Sequence, residues 1–297
     1  VIDLVMLLHS ALSAGTYLAA KRALGELSPF ELALARFSFA ALVYAGLLAW
    51  RWKAVSRRDL VAFALLGFVA VPLNQGLFLF GLSRTTPGHA ALLYAMTPIF
   101  VFVLALLRRE ERSSPWKVIG IGVAFAGAAI VLVARGQLSG QPGADRALQG
   151  DLLVLLAVVA WAVYVVWGKP YAERLGVIMT TGLTVVSGTI LYLPAGLALS
   201  RLSSFQALSA GGWWSLFYLV VLTSVVSYLL YYWALKREDA SRVAIWSNTQ
   251  PVLTALLAWA VQGDPLTPSF VAGGVLVILG VVMTQQRPRQ RAPRMGG

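Results

Sequence analysis

A small set of polar and aromatic residues is embedded in long apolar blocks. It comprises Asn74, Gln75 and Phe78, then Tyr94, then Trp161 and Tyr164, then Ser227, Tyr228, Tyr231 and Tyr232, then Trp246 and Asn248. Ligand sites are built largely from apolar and aromatic side chains with a few polar groups that fix orientation, and this set has that character. His9, Asn74, Phe78, Tyr94, Trp161, Tyr164, Tyr228 and Asn248 are the candidate substrate-binding residues. His9 lies in the first apolar block, and an imidazole titrates near neutral pH, which suits it to a substrate or proton role. Arg36 is the one ionisable side chain placed well inside a block. Charge at that depth is costly and is either paired, functional, or drawn to the interface by its long stem. Glu31, five residues earlier, falls on a different face and is a poor partner.

Other chemistries lack their parts. There is no cysteine and there are two histidines, which removes disulfides and thiolate metal sites and leaves no metal cluster to expect. No paired catalytic carboxylates, no nucleophile with a base and no glycine-rich phosphate loop stand out, so an enzyme is not expected and no cofactor is implied. A phosphate-bearing substrate would want several basic groups, where only Arg36 is available.

The elements that must carry these residues are membrane helices. Hydrophobic residues make up 59% of the 297 and charged ones 12%, against about a half and a quarter in soluble domains. The apolar residues fall into blocks near the roughly 20 residues that a helix needs to cross a bilayer. The blocks predict ten spans, at 2–20, 29–50, 60–81, 87–107, 116–134, 150–168, 174–199, 212–234, 239–260 and 267–285. The first, without a basic flank or a small-residue cleavage site, reads as a retained helix. Trp50, Trp52, Trp116, Trp213 and Trp214 fall where interfacial aromatics gather.

The formal charge of +12 follows from basic loops and calls for no nucleic acid. With ten spans, Lys21, Arg22, Arg84, Arg135, Arg146 and Arg201 fall on one side, and the other basic residues outside the spans fall on the opposite side. Basic residues accumulate in cytoplasmic loops, so both termini are expected to be cytoplasmic.

The chain also repeats. At an offset of 153, Pro98 meets Pro251, Gly120 meets Gly273, Gly127 meets Gly280 and Asn74 meets Ser227; at 148, Asp3 meets Asp151 and Lys21 meets Lys169. The predicted organisation is a first repeat over 1–134, a connecting loop over 135–149, a second repeat over 150–286 and a basic tail over 287–297. Five spans per repeat invert the second copy, an architecture of transporters with the site between the halves. Pro98 and Pro251 are expected to kink their helices, either as packing features or as borders of a cavity. Gly120, Gly127, Gly273 and Gly280 are expected to let helices approach closely, with the fifth and tenth spans each supporting its own half.

The stretches PIFVFVLALLRREERSSPWKVIGIGVAFAGAAIVL from Pro98 and PVLTALLAWAVQGDPLTPSFVAGGVLVILGVVM from Pro251, with Arg36–Phe37 in the second span, resemble the EamA-like branch of the drug/metabolite transporter superfamily across the whole chain. Glu110 or Glu111 matches the family's acidic residue after the fourth span; Asp264 departs from it. The resemblance is greatest to YddG-type exporters of aromatic and other neutral amino acids. It implies a multi-pass protein of the bacterial inner membrane that exports amino acids or related metabolites by alternating access; ten spans suffice for a self-contained pathway, so a monomer is expected. Its cavity would lie between the halves, lined by the first, third, fourth, sixth, eighth and ninth spans. The first span has no acidic residue between Leu4 and Ala20, unlike the small multidrug relatives. Another small metabolite or a lipophilic compound is the alternative substrate class.

Overall fold

The computed structural model describes residues 2–109, 115–136, 144–238, 240–244, 246, 249–263 and 266–285, and every regular element among them is helical. The helices are α1 (Ile2–Ala23), α2 (Pro29–Arg51), α3 (Arg57–Leu82), α4 (Pro87–Leu107), α5 (Pro115–Gly136), α6 (Ala144–Leu175), α7 (Val177–Leu199), α8 (Ala210–Leu235), α9 (Thr249–Gln262) and α10 (Pro268–Gln285). A separate turn of helix at Ala240–Ala244 precedes α9. Seven of these helices contain an apolar stretch long enough to cross a membrane, and the described apolar cores of α5, α9 and α10 are shorter. The protein is an all-α polytopic membrane protein. Its outer faces carry Leu4, Leu42, Leu65 and Val261, all more than 60% exposed, a surface suited to lipid and not to water. All five tryptophans assigned to interfaces are exposed.

Local chemistry sets the helix ends. Ser28 and Glu31 form a capping box at the start of α2, as Ser56 and Asp59 do for α3, so side chains satisfy backbone donors that a helix start leaves free. Gly176 turns the chain from α6 into α7 at φ 93°, a conformation that favours glycine.

Two helices are locally unwound. In α3 a π turn spans Val69–Leu73 around Pro72, whose missing N–H disrupts α-helical bonding. In α8 a longer π segment spans Tyr218–Ser227, where the Ser224 hydroxyl donates to the Leu219 carbonyl at 2.9 Å. Neither feature was legible beforehand. The behaviour of the two paired prolines also differs from the expected kink. Pro98 stands in the first turn of Thr97–Leu107, directly after a break at Ala95–Met96, and Pro251 stands in the first turn of α9. Pro98 has no N–H to give the Tyr94 carbonyl, which takes the Thr97 hydroxyl instead at 2.6 Å, so at Pro98 the helix stops and restarts.

Packing occurs in counterpart pairs. Helix α1 lies on α8 as α6 lies on α3, and α9 lies on α1 as α4 lies on α6, while α2 packs on α7 and α5 on α10. The last pair corrects the expectation that the fifth and tenth spans each support their own half. A Cβ on Gly127 would fall 2.6 Å from the Gly273 carbonyl oxygen, and one on Gly280 would fall 2.5 Å from that of Gly120. The four glycines therefore join the halves, because only a residue without a side chain admits a backbone so near.

Candidate functional site

The lining of the candidate cavity begins on α1. His9, Ser13, Thr16 and Tyr17 recur at helical spacing and therefore share one face, and all four border a space of about 560 Å³, mouth included. Helix α8 supplies Thr223, Ser227, Tyr228 and Tyr231 opposite them. Hydroxyls stitch the two helices together, with Thr16 Oγ1 2.8 Å from Thr223 Oγ1 and Ser13 Oγ 3.1 Å from Ser227 Oγ. His9 Nδ1 lies 3.1 Å from the Ser227 carbonyl oxygen and 2.8 Å from its hydroxyl. A carbonyl can only accept and a hydroxyl can do either, so the tautomer of His9 decides which of these contacts carries the ring proton.

The rest of the wall comes from α2, α3, α4, α6 and α9, through Arg36, Gln75, Phe78, Tyr94, Trp161 and Gln250. Tyr17, Phe78 and Tyr94 meet edge to face with centroids 5.6 to 5.9 Å apart, the arrangement aromatic quadrupoles favour. Trp161 packs against Tyr228 at 5.4 Å and Tyr231 at 5.7 Å. Tyr17 donates to Gln250 Oε1 at 3.2 Å.

Arg36 is 1% exposed. Its Nε donates to Ser224 Oγ at 2.8 Å and its Nη1 to Gln75 Oε1 at 2.9 Å, so it is held inside by neutral acceptors and does not reach for the interface. Glu31 instead accepts from Ser28, Arg201 and Ser204 at the start of α2. Placing an arginine at a helix centre in the membrane costs roughly 2.5–3.5 kcal/mol on insertion scales, and here that cost falls at the cavity wall.

Behind Gln75 a second layer holds its amide in place. Gln75 Nε2 donates to Asn74 Oδ1 at 2.5 Å and to the Tyr228 hydroxyl at 3.4 Å. Asn74 Nδ2 in turn donates to the Ala157 carbonyl at 2.7 Å and to the Tyr94 hydroxyl at 3.1 Å.

Of the candidates read from the sequence, His9, Phe78, Tyr94, Trp161 and Tyr228 line the cavity together. Asn74 is fully buried behind it, and Tyr164 is fully buried against Trp161 and Tyr232. Asn248 lies outside the described residues, as do Glu110, Glu111, Asp264 and the tail over 287–297. Pro98 and Pro251 are buried but do not border the space. Ser13, Thr16, Tyr17, Thr223 and Gln250 were not foreseen. A polar stripe through His9, Ser13 and Tyr17 on an otherwise apolar helix was the available signal. His89 takes part in a separate cluster, 3.2 Å from Asp151, which also accepts from Thr85. Among the described residues no group of three or more His, Asp or Glu could hold a metal ion.

A profile of the EamA-like transporter family matches residues 1–133 and 148–285. The chain is 30% identical over 287 residues to the uncharacterized transporter YyaM of Bacillus subtilis, covering 95% of this chain and 92% of that one. It is 28% identical over 292 residues to an uncharacterized transporter of Archaeoglobus fulgidus, covering 97% and 98%. A probable terminal-alkyne amino-acid exporter of Streptantibioticus cattleyicolor is 27% identical over 230 residues, covering 77% and 74%. A solved crystal structure matches the fold with a TM-score of 0.69 at 20% identity, covering 95% of this chain and 96% of that one. The helical membrane fold, the central cavity and these matches agree that the chain belongs to the EamA-like transporter family, whose members are non-catalytic, multi-pass membrane transporters of small molecules.

Proposed function

We propose that the chain exports amino acids, aromatic and other neutral ones foremost, or closely related metabolites, from the bacterial cytoplasm by alternating access. The reading has ten helices cross the inner membrane as two inverted repeats, over 1–134 and 150–286, with both termini cytoplasmic and a single chain sufficient for the pathway. The observation that carries it is the cavity itself, walled by aromatic rings and small hydroxyls drawn from both halves. Such a wall suits a small, partly apolar solute with a few polar handles. The counterpart packing of α1 on α8 and α6 on α3 supports a carrier in which one half rocks against the other around that space. The likeness to a probable terminal-alkyne amino-acid exporter supports the substrate class.

Counterflow of labelled amino acids in proteoliposomes tests the reading. Saturable exchange selective for aromatic or neutral amino acids is the expected result. Vesicles that hold folded protein and exchange no amino acid would overturn it and direct the search to other metabolites.

A further inference from the structure

Among the described residues, the cavity wall carries one permanent charge and no acid to balance it. The fourteen described residues that line it include Arg36 and no aspartate or glutamate. Arg36 spends Nε on Ser224 and Nη1 on Gln75, both neutral, and its Nη2 donates to none of the described residues. The guanidinium also sits 5.0 Å from the Phe37 ring centroid, which leaves its charge unneutralised. An arginine fork presents its N–H groups in the plane that matches a carboxylate. Its attraction for an anion is strengthened where water is excluded.

We infer that Arg36 is the receptor for a carboxylate on the transported solute, and that the substrate class is small organic carboxylates with an aromatic or apolar tail, the α-amino group being dispensable. The inference rests on the transport reading above and sharpens it. The tail would lie among Phe78, Trp161, Tyr228 and Tyr231, which border the same space. An ammonium group would find hydroxyls, amide oxygens and ring faces there, but no carboxylate. An amine lacking a carboxylate would instead face the uncompensated charge of Arg36. The site therefore discriminates by the sign of charge before it discriminates by side chain.

Binding of three probes to the purified full-length chain, read by titration calorimetry, tests this. Phenylacetate carries only the carboxylate, L-phenylalanine carries both groups and 2-phenylethylamine carries only the amine. Phenylacetate and phenylalanine are expected to bind within about tenfold of one another, and the amine about a hundredfold more weakly. The decisive variant is Gln75→Glu, which sets a carboxylate where Gln75 Oε1 now lies, 2.9 Å from Arg36 Nη1. This built-in anion competes with the ligand and is expected to weaken both carboxylates at least tenfold; its second oxygen replaces the Nε2 that now donates to Asn74 Oδ1, so a thermal melt accompanies the titration to show that the variant is folded. Arg36→Gln is the second variant and is expected to lose the preference of phenylacetate over the amine. Amine binding as tight as that of phenylalanine, a need for the amino group, carboxylate binding unchanged in a folded variant, or no binding of either carboxylate would each overturn the inference. Counterflow judges transport separately. A chain that exchanges another metabolite but binds neither carboxylate refutes the receptor and leaves transport standing, and binding without exchange does the reverse.

Discussion

Lys21 and Lys169 make the same contact in the two halves of the chain. Lys21 Nζ donates to the Thr85 carbonyl at 2.6 Å and to the Leu82 carbonyl at 2.8 Å, and Lys169 Nζ donates to the Glu238 carbonyl at 2.8 Å. The lysines are 148 positions apart and the accepting residues Thr85 and Glu238 are 153 apart, the two offsets at which the sequence repeats. In each case a cation near the end of a half's first helix meets carbonyls just past the end of its third, where the helix dipole is negative. By those offsets the His9–Ser227 pair corresponds to Ala157–Asn74, with the roles exchanged, since there the side chain of the half's third helix donates to a carbonyl of its partner.

Removing either lysine should therefore cost a similar amount. Lys21→Met and Lys169→Met are each expected to destabilise the protein by about 1–2 kcal/mol, the scale of a partly solvated charged hydrogen bond. The double variant should lose close to the sum, because the two contacts share no partner. Thermal melts in detergent check this, and strongly unequal single effects would count against their equivalence.

The seam between α5 and α10 should tolerate no added carbon. Gly127→Ala and Gly280→Ala press a methyl into the facing backbone and are expected to cost about 1–3 kcal/mol, the usual range for overpacking. Gly122→Ala on the same helix meets nothing within 4 Å and serves as the control, with a melting temperature held or slightly raised by the better helix preference of alanine.

Trp161 and Tyr164 are one helical turn apart yet should behave oppositely. Trp161→Ala strips a cavity wall that contacts Tyr228 and Tyr231, and apparent substrate affinity is expected to fall about tenfold or more, as for a buried aromatic anchor. The Tyr164 hydroxyl is buried without a hydrogen-bond partner among the described residues. Tyr164→Phe removes that unsatisfied group, so stability should hold or rise with transport retained. Initial rates over a range of substrate concentrations, beside melts, separate the two effects.

Asn74→Ala should impair transport although Asn74 does not border the cavity. Its amide orients Gln75 and Tyr94, and its loss leaves buried donors and acceptors unpaired at about 1–3 kcal/mol. The expected signature is a raised KM with a lowered melting temperature. A variant with wild-type KM would mean that Gln75 needs no such support.

A contact in the loop regions gives a pH dependence. Glu26 accepts from both the backbone N–H and the hydroxyl of Ser209 at 2.7 Å, and these bonds, the hydroxyl's first, hold its carboxyl below the ordinary glutamate range. A lowered folded-state pKa means that the stabilisation is present above the unfolded value and is lost as pH falls through the folded one. The melting difference between wild type and Glu26→Gln should accordingly be small, present at neutral pH, and vanish at acid pH.

Much of this arrangement was legible in the sequence because lipid imposes length and polarity on each helix. The apolar blocks gave the helices, and the depth of Arg36 in its block marked it out before its partners were visible. Direction around a helix was harder. Trp161 and Tyr164 had equal standing by type and depth, and only packing against Tyr232 takes Tyr164 out of the cavity wall. The glycines of α5 and α10 announced close approach but not the partner, since a small-residue stripe carries no label for the opposing helix. Ser13 and Thr16 passed unnoticed because small hydroxyl residues are ordinary in membrane helices, where a backbone carbonyl one turn earlier can satisfy them, as Leu12 does for Thr16.

The wide winding of α8 between Tyr218 and Ser227 holds slack. A helix that carries extra residues per turn is shorter than its residue count allows, and the surplus is stored immediately before Tyr228. If that slack were drawn out, the greater twist and rise per residue of regular α winding would add up over the segment, turning the rest of α8 about its axis and carrying it along that axis. Tyr228 and Tyr231 would leave the cavity wall together without any change in their own rotamers. The bore of the cavity is thus governed by the pitch of the backbone beside it as much as by the side chains that face it.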